Sequence, residues 1–297
     1  MAQRRTDLAV EAHQLWQEGA GEAALPGVRS EESEQSGFLV NTVTVSTPEA
    51  ARALGKPQGV YVTVELDGLL RREEGAFQRA AQAVAQALRP LLPEKGPALV
   101  IGLGSRAVTP DLIGPLTVDH LLVTRHLVEQ VPEHFGHLRP VAAAAPGVLA
   151  STGMESSLVA QALAGELRPA CVIAVDALAS RSLDRLCRTV QLSDTGVVPG
   201  SGVGNHRAPL NRETLGVPVL TVGAPTVVDG ATLALDLLER AGRTGTEREE
   251  LPGGEDFFVT PREVDVRVAD LSKVLGYAIS MALNPSLSVE DLTMLLE

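Results

Sequence analysis

The chain has 297 residues, 44% of them hydrophobic, with 28 glycines, 3% aromatics and a formal charge of −12. Such a length and apolar content suit one elaborated globular domain, and the negative balance excludes a broad phosphate-binding surface of clustered Lys and Arg. Its two cysteines, Cys171 and Cys187, make neither a disulfide framework nor zinc-ligand spacing, and no run of about 18 apolar residues is present to span a membrane.

Residues 1–37 are polar and broken by Gly21, Pro26, Gly27 and Gly37, with the acidic run Glu31-Glu32-Ser33-Glu34. They read as a mobile or peripheral N-terminal arm. Arg4 and Arg5 read as two solvated charges, and with no apolar stretch behind them to form a secretory signal, a cytoplasmic protein is expected. From Phe38 to Val45 and from Val60 to Val64 the pattern is β-like. Phe77, Ala80, Ala81, Val84, Leu88 and Leu91 recur at helical spacing.

Ala98 to Leu103 is a continuous apolar run of the kind buried on both faces of a parallel sheet, and Val141–Ala145, Cys171–Val175 and Val217–Val222 read likewise. Helical segments are expected around 111–130, 154–167 and 228–241. That alternation predicts an α/β fold with a mostly parallel central sheet flanked by helices. Residues 242–256 read as an exposed loop, and 262–283 as a helix with Val264, Val268, Leu271, Leu275 and Ile279 on one face.

In parallel α/β sheets, sites gather at the carboxyl ends of the strands. After the 98–103 strand, Thr109 suits an N-cap and Pro110 the first helical position, so Asp111 falls in the first turn, where the helix dipole favours its ionised form. A helix-capping acid is the competing reading. Asp176 directly follows the 171–175 strand; burial and a neighbouring carboxylate would raise its pKa, while the competing reading is an Asp paired with Arg181 or capping the next helix. Two acids so separated would suit water activation and protonation of a leaving amide nitrogen.

Asp194-Thr195-Gly196 matches the triplet of pepsin-like proteases, but it occurs once and in an α/β chain, so the analogy is rejected and Asp194 is expected only as a cleft-lining residue. Residues Pro199 to Asn205, including Gly202 and Asn205, read as a cleft-lining loop without a P-loop lysine. Asp229 is a further cleft acid or a helix cap. His134 and His137 read as solvated loop residues, and no serine has a nucleophile-elbow context with a His partner. No metal or cofactor is expected.

Taken together, several blocks resemble the germination proteases of spore-forming bacteria. They include Gly102-Leu103-Gly104, Val108-Thr109-Pro110-Asp111, Ala145-Pro146-Gly147-Val148, Asp176-Ala177-Leu178-Ala179-Ser180-Arg181, Ser193-Asp194-Thr195-Gly196, Pro199 to Asn205 and Pro225-Thr226-Val227-Val228-Asp229. Ser105-Arg106-Ala107 stands where the family usually has Asn-Trp-Asn. The resemblance implies an atypical aspartic endopeptidase that degrades small acid-soluble spore proteins in the spore interior. It also implies a fold like that of hydrogenase-maturation proteases, a homotetramer, a self-processing zymogen, and Asp111 and Asp176 as the acid pair. Thr6-Asp7-Leu8-Ala9 has the form of the family's cutting site, giving residues 1–7 as propeptide, Asp7-Leu8 as the cut, and 8–297 as one peptidase domain with 8–37 as its peripheral arm. Two other readings compete: a metal-dependent maturation-type protease, and a non-catalytic ligand-binding module.

Overall fold

The computed structural model describes residues 4–20, 24–200, 207–243, 245–246, 248–251, 253 and 257–296. Its frame is a nine-stranded sheet of β1 (Val28–Gln35), β2 (Phe38–Val45), β3 (Gly59–Glu65), β4 (Ala98–Gly102), β5 (Val141–Ala144), β6 (Cys171–Ser180), β7 (Thr189–Ser193), β8 (Val219–Asp229) and β9 (Phe258–Val259). The order is β1-β2-β3-β7-β8-β6-β4-β5, with β9 beside β8. As expected, helices flank a parallel block, β5-β4-β6-β8. Antiparallel β7, β3, β2 and β1 then extend it, so the sheet is mixed.

One face carries helices Ala76–Leu88, Ile113–Asp119, Val264–Leu283 and Val289–Leu296. They cover Val100, Ile173, Val175, Val190, Leu192 and Val222 in the largest apolar cluster. The opposite face is divided. Helix Ser156–Leu167 packs on Leu99, Ile101, Val172 and Ala174. Farther along the sheet, Leu8 to Val10 and helix Pro48–Leu54 pack on Val43, Val45, Tyr61 and Leu178. On β6, Ala174 belongs to the first of these clusters and Leu178 to the second, so Asp176 falls in the gap between them.

Several expectations change. Residues 8–37 are more than an arm: Ala9–Ala20 is a helix, and Leu8 before it and Ala9 at its start are fully buried, closing the second cluster. The acidic run becomes edge strand β1, paired with β2 through a turn in which Ser36 and Gly37 both take positive φ, 51° and 81°. Strand β6 does not stop at Val175 but runs to Ser180, with Asp176 paired in register to Gly223 of β8. The predicted 242–256 loop includes a short 3-10 turn, Arg248–Glu250, whose Arg248 turns inward; residues 244, 247, 252 and 254–256 lie outside the described residues.

Candidate active site

The gap on the second face is a cavity of about 930 Å³, lined among others by Asp111, Asp176, Gln191, Lys56, Tyr61 and the chain's own Arg4 to Asp7. It opens at the switch point of the parallel block. β4 leads outward to β5 while β6 lies on its other side, so the loop after β4 and the middle of β6 meet at one crevice.

Asp111 is placed by the loop after β4. Gly104 holds φ +118°, and an ideal Cβ there would overlap the Asp111 carbonyl oxygen. Glycine therefore lets the loop fold back until the Ser105 N–H donates to Asp111 Oδ2 at 2.6 Å. This grip is backbone-made, which tolerates the Ser105-Arg106-Ala107 departure. The predicted helix start is corrected: Thr109–Asp111 forms a 3-10 turn without a side-chain cap, and the α-helix begins only at Ile113. Asp111 thus lacks the strong dipole that an early α-helical turn would have given it. Burial raises its pKa, while the Ser105 N–H and the charge of Arg207 hold the rise back.

Asp176 is 6% exposed. Burial first, then the charges of Asp111 and Asp7, push its carboxyl well above the usual range, opposed by a hydrogen bond from the Ala177 N–H. Arg181 instead pairs with Glu18, Asp236 and Glu239. The structure therefore brings Asp111 and Asp176 into one cavity, with Asp176 the better proton holder.

The other predicted residues separate. Asp194 is exposed, and its Oδ1 accepts the Val60 N–H at 2.8 Å, so it ties β3 to the end of β7 rather than lining the cavity. Asp229 is fully buried and caps helix Gly230–Arg240 through the Thr232 N–H. Burial alone would raise its pKa, but a two-pronged bond from Arg248, at 2.7 and 2.8 Å, and the bonds from Thr232 lower it. It therefore acts as a cap and charge anchor, not a cleft acid. Gly202 and Asn205 lie outside the described residues. Among the described residues no group of three His, Cys, Asp or Glu side chains is placed to hold a metal ion.

The first residues hold a surprise. Arg4 and Arg5 are not solvated charges: Arg4 pairs with Glu239 at 2.6 Å, and Arg5 with Asp229 at 3.6 Å. Lys56 Nζ donates to the Thr6 carbonyl at 2.9 Å; desolvation lowers its pKa, against the nearby charges of Asp7 and Glu11. The Asp7 N–H donates to the Ala179 carbonyl, and Asp7 Oδ2 accepts the Ala179 N–H, both at 2.8 Å. Asp7 and Leu8, predicted as a cutting site, therefore straddle the boundary between the cavity and the core.

Sequence reasoning missed Gln191, Lys56, Glu11 and Arg207. Gln191 had a signal: it is a polar residue on a strand whose neighbours Val190 and Leu192 are core. Glu11 had a weaker one, a charge amid Leu8, Ala9, Val10 and Ala12. Lys56 has none, since its partner lies 50 positions away.

Among the described residues no helix is long and apolar enough to cross a membrane. The family model for germination proteases matches residues 9–250. A curated germination protease of Caldanaerobacter subterraneus subsp. tengcongensis is 38% identical, over 98% of both chains. One from Clostridium perfringens is 38% identical over 97% of both, and one from Bacillus velezensis 36% identical over 97% of this chain and 95% of its own. Among solved structures, a [NiFe] hydrogenase maturation protease, HycI from Thermococcus kodakarensis KOD1, aligns with 66% of this chain and 98% of its own at a TM-score of 0.37 and 15% identity. The extent of the family match and the identity to full-length relatives decide the matter: this chain belongs to the germination protease family and is a protease.

Proposed function

We propose that the chain is an aspartic-type endopeptidase of spore germination, made as a precursor that cuts itself between Asp7 and Leu8, with Asp111 and Asp176 activating the attacking water. One observation carries the reading: the half-buried Asp111 and the buried Asp176 line one cavity with the chain's own residues 4–7. Asp111, whose pKa burial raises while the Ser105 N–H and Arg207 limit the rise, takes a proton from water as the oxygen adds to the Asp7 carbonyl carbon. Asp176, kept protonated, gives its proton to the Leu8 nitrogen as the C–N bond breaks. The products are a carboxyl end at Asp7 and an amine at Leu8, and proton exchange within the pair restores the starting state.

Small acid-soluble spore proteins as substrates, the spore interior as setting and a homotetrameric assembly belong to the same proposal, supported by family membership. The test is mass spectrometry of the purified full chain and of its Asp111→Asn and Asp176→Asn variants, together with digestion of a peptide carrying an acid-apolar-Ala sequence. Each substitution is expected to slow cutting by about 10³-fold with the fold retained; full activity in either variant overturns the acid pair.

A further inference from the structure

We propose that Gln191 is a further catalytic residue, the donor that stabilises the oxyanion formed when water adds to the scissile carbonyl. The proposal rests on the Asp7-Leu8 reading above. Gln191 Nε2 donates to the Asp7 carbonyl oxygen at 3.0 Å, the oxygen that becomes negative on attack. The other end of the same amide, Oε1, accepts the Ala9 N–H at 2.7 Å. One side chain thus holds both sides of the Asp7-Leu8 bond, and the orientation of the amide is fixed by having an acceptor on one side and a donor on the other.

Placement supports the role. Asp176 on β6, Gly223 on β8 and Gln191 on β7 are register neighbours in one row of the sheet, so their Cα–Cβ directions share a face, and the residue between them has no side chain. Asp7 is held from β6 through Ala179 and from β7 through Gln191. Gln191 is 7% exposed. A neutral amide donor in so desolvated a place stabilises developing charge more strongly than one in water, and needs no reorganisation during reaction. It also leaves the two carboxyls free for proton traffic. During the step the C=O double bond of Asp7 becomes a single bond to an oxyanion held by Nε2–H; it re-forms as the Leu8 nitrogen leaves with the Asp176 proton.

The experiment measures the first-order rate of cutting between Asp7 and Leu8 in the full chain by mass spectrometry, for wild type, Gln191→Leu and Gln191→Glu. Thermal melting reports folding. Both variants are expected to slow by about 10²- to 10³-fold. Gln191→Glu keeps the volume and the acceptor for Ala9, so it decides the matter if Gln191→Leu fails to fold. Its deficit relative to wild type should narrow as pH falls, because a protonated carboxyl regains an O–H donor, a response that a packing role would not give. Wild-type rates in a folded Gln191→Glu protein at neutral pH overturn the role of Gln191 alone. A wild-type chain that digests peptides in trans yet is never cut at Asp7-Leu8 overturns the reading of the scissile bond, and the role of Gln191 with it.

Discussion

The charge of Asp111 raises the proton affinity of Asp176 across the shared cavity, adding to what burial already does. Removing that charge should therefore lower the Asp176 titration while leaving it above an ordinary aspartate, since burial is the larger cause. Carbon-13 NMR of labelled aspartates in Asp111→Asn checks this. An Asp176 midpoint that stays fixed or rises would show that the two acids do not sense each other. Loss of Asp7 should move Asp176 in the same direction by a smaller amount.

Stability should depend on pH with opposite signs at two buried acids. Asp176 binds its proton more tightly folded than unfolded, so it costs stability as pH rises above the unfolded carboxyl value. Asp176→Asn should thus raise Tm at pH 7, and the gain should vanish below about pH 4. Asp229 is the reverse: its pKa is lowered, so its contribution is present above the unfolded value and lost as pH falls through the folded one. Arg248→Ala leaves that buried carboxylate poorly compensated, and should cost about 3 kcal/mol at neutral pH, shrinking in acid. Denaturant melts at several pH values read both effects.

Gly104→Ala should reduce activity as well as stability. The positive φ of Gly104 and the overlap of a new Cβ with the Asp111 carbonyl impose about 1–3 kcal/mol of strain. Relief would come by shifting the loop, which draws the Ser105 N–H from Asp111. A displacement of this kind costs about 10²-fold in rate. Steady-state assays alongside melts separate the two; wild-type activity in the folded variant would argue against loop displacement.

Glu11→Ala should be severely destabilising for a surface-looking position. The side chain is 1% exposed and accepts the Arg181 N–H at 2.6 Å, the Ser182 N–H at 3.1 Å and the Thr6 hydroxyl at 2.5 Å, and pairs with Arg185. Its removal strands these donors, with an expected loss of about 3 kcal/mol. Urea melts of the variant check it, and a change below about 0.5 kcal/mol would contradict the buried-anchor role.

The parallel strands were legible because runs such as Ala98 to Gly102 are apolar on both faces, a pattern that surface elements do not share. Asp176 misled about its own strand: a charged residue reads as an end, yet β6 tolerates it because the face it occupies is open to the cavity. Strand β1 was unreadable from composition, since nearly all its side chains face water and its order comes from hydrogen bonds to β2. The helix over Ala9–Ala20 was hidden by glycines and polar residues around a short apolar edge. At the site, the loop leading to Asp111 carried local signals. Gln191 stood out only as a polar residue between core neighbours, and what it and Lys56 hold lies 184 and 50 positions away, where no local pattern reaches.

The two sides of Asp7-Leu8 are anchored by different physics. Toward the amino end, Arg4 and Arg5 hold by ion pairs with Glu239 and Asp229; toward the carboxyl end, Leu8 and Ala9 hold by complete burial. Under the proposed cut, dissolved counterions would weaken chiefly the Arg4–Glu239 pair, whose carboxylate reaches solvent, and would act far less on the Arg5 pair with buried Asp229, because partly buried charge pairs are screened much less than exposed ones. The severed peptide would then be held longest at its inner end, by a charge pair that salt scarcely reaches, while the new amino end stays seated in the core.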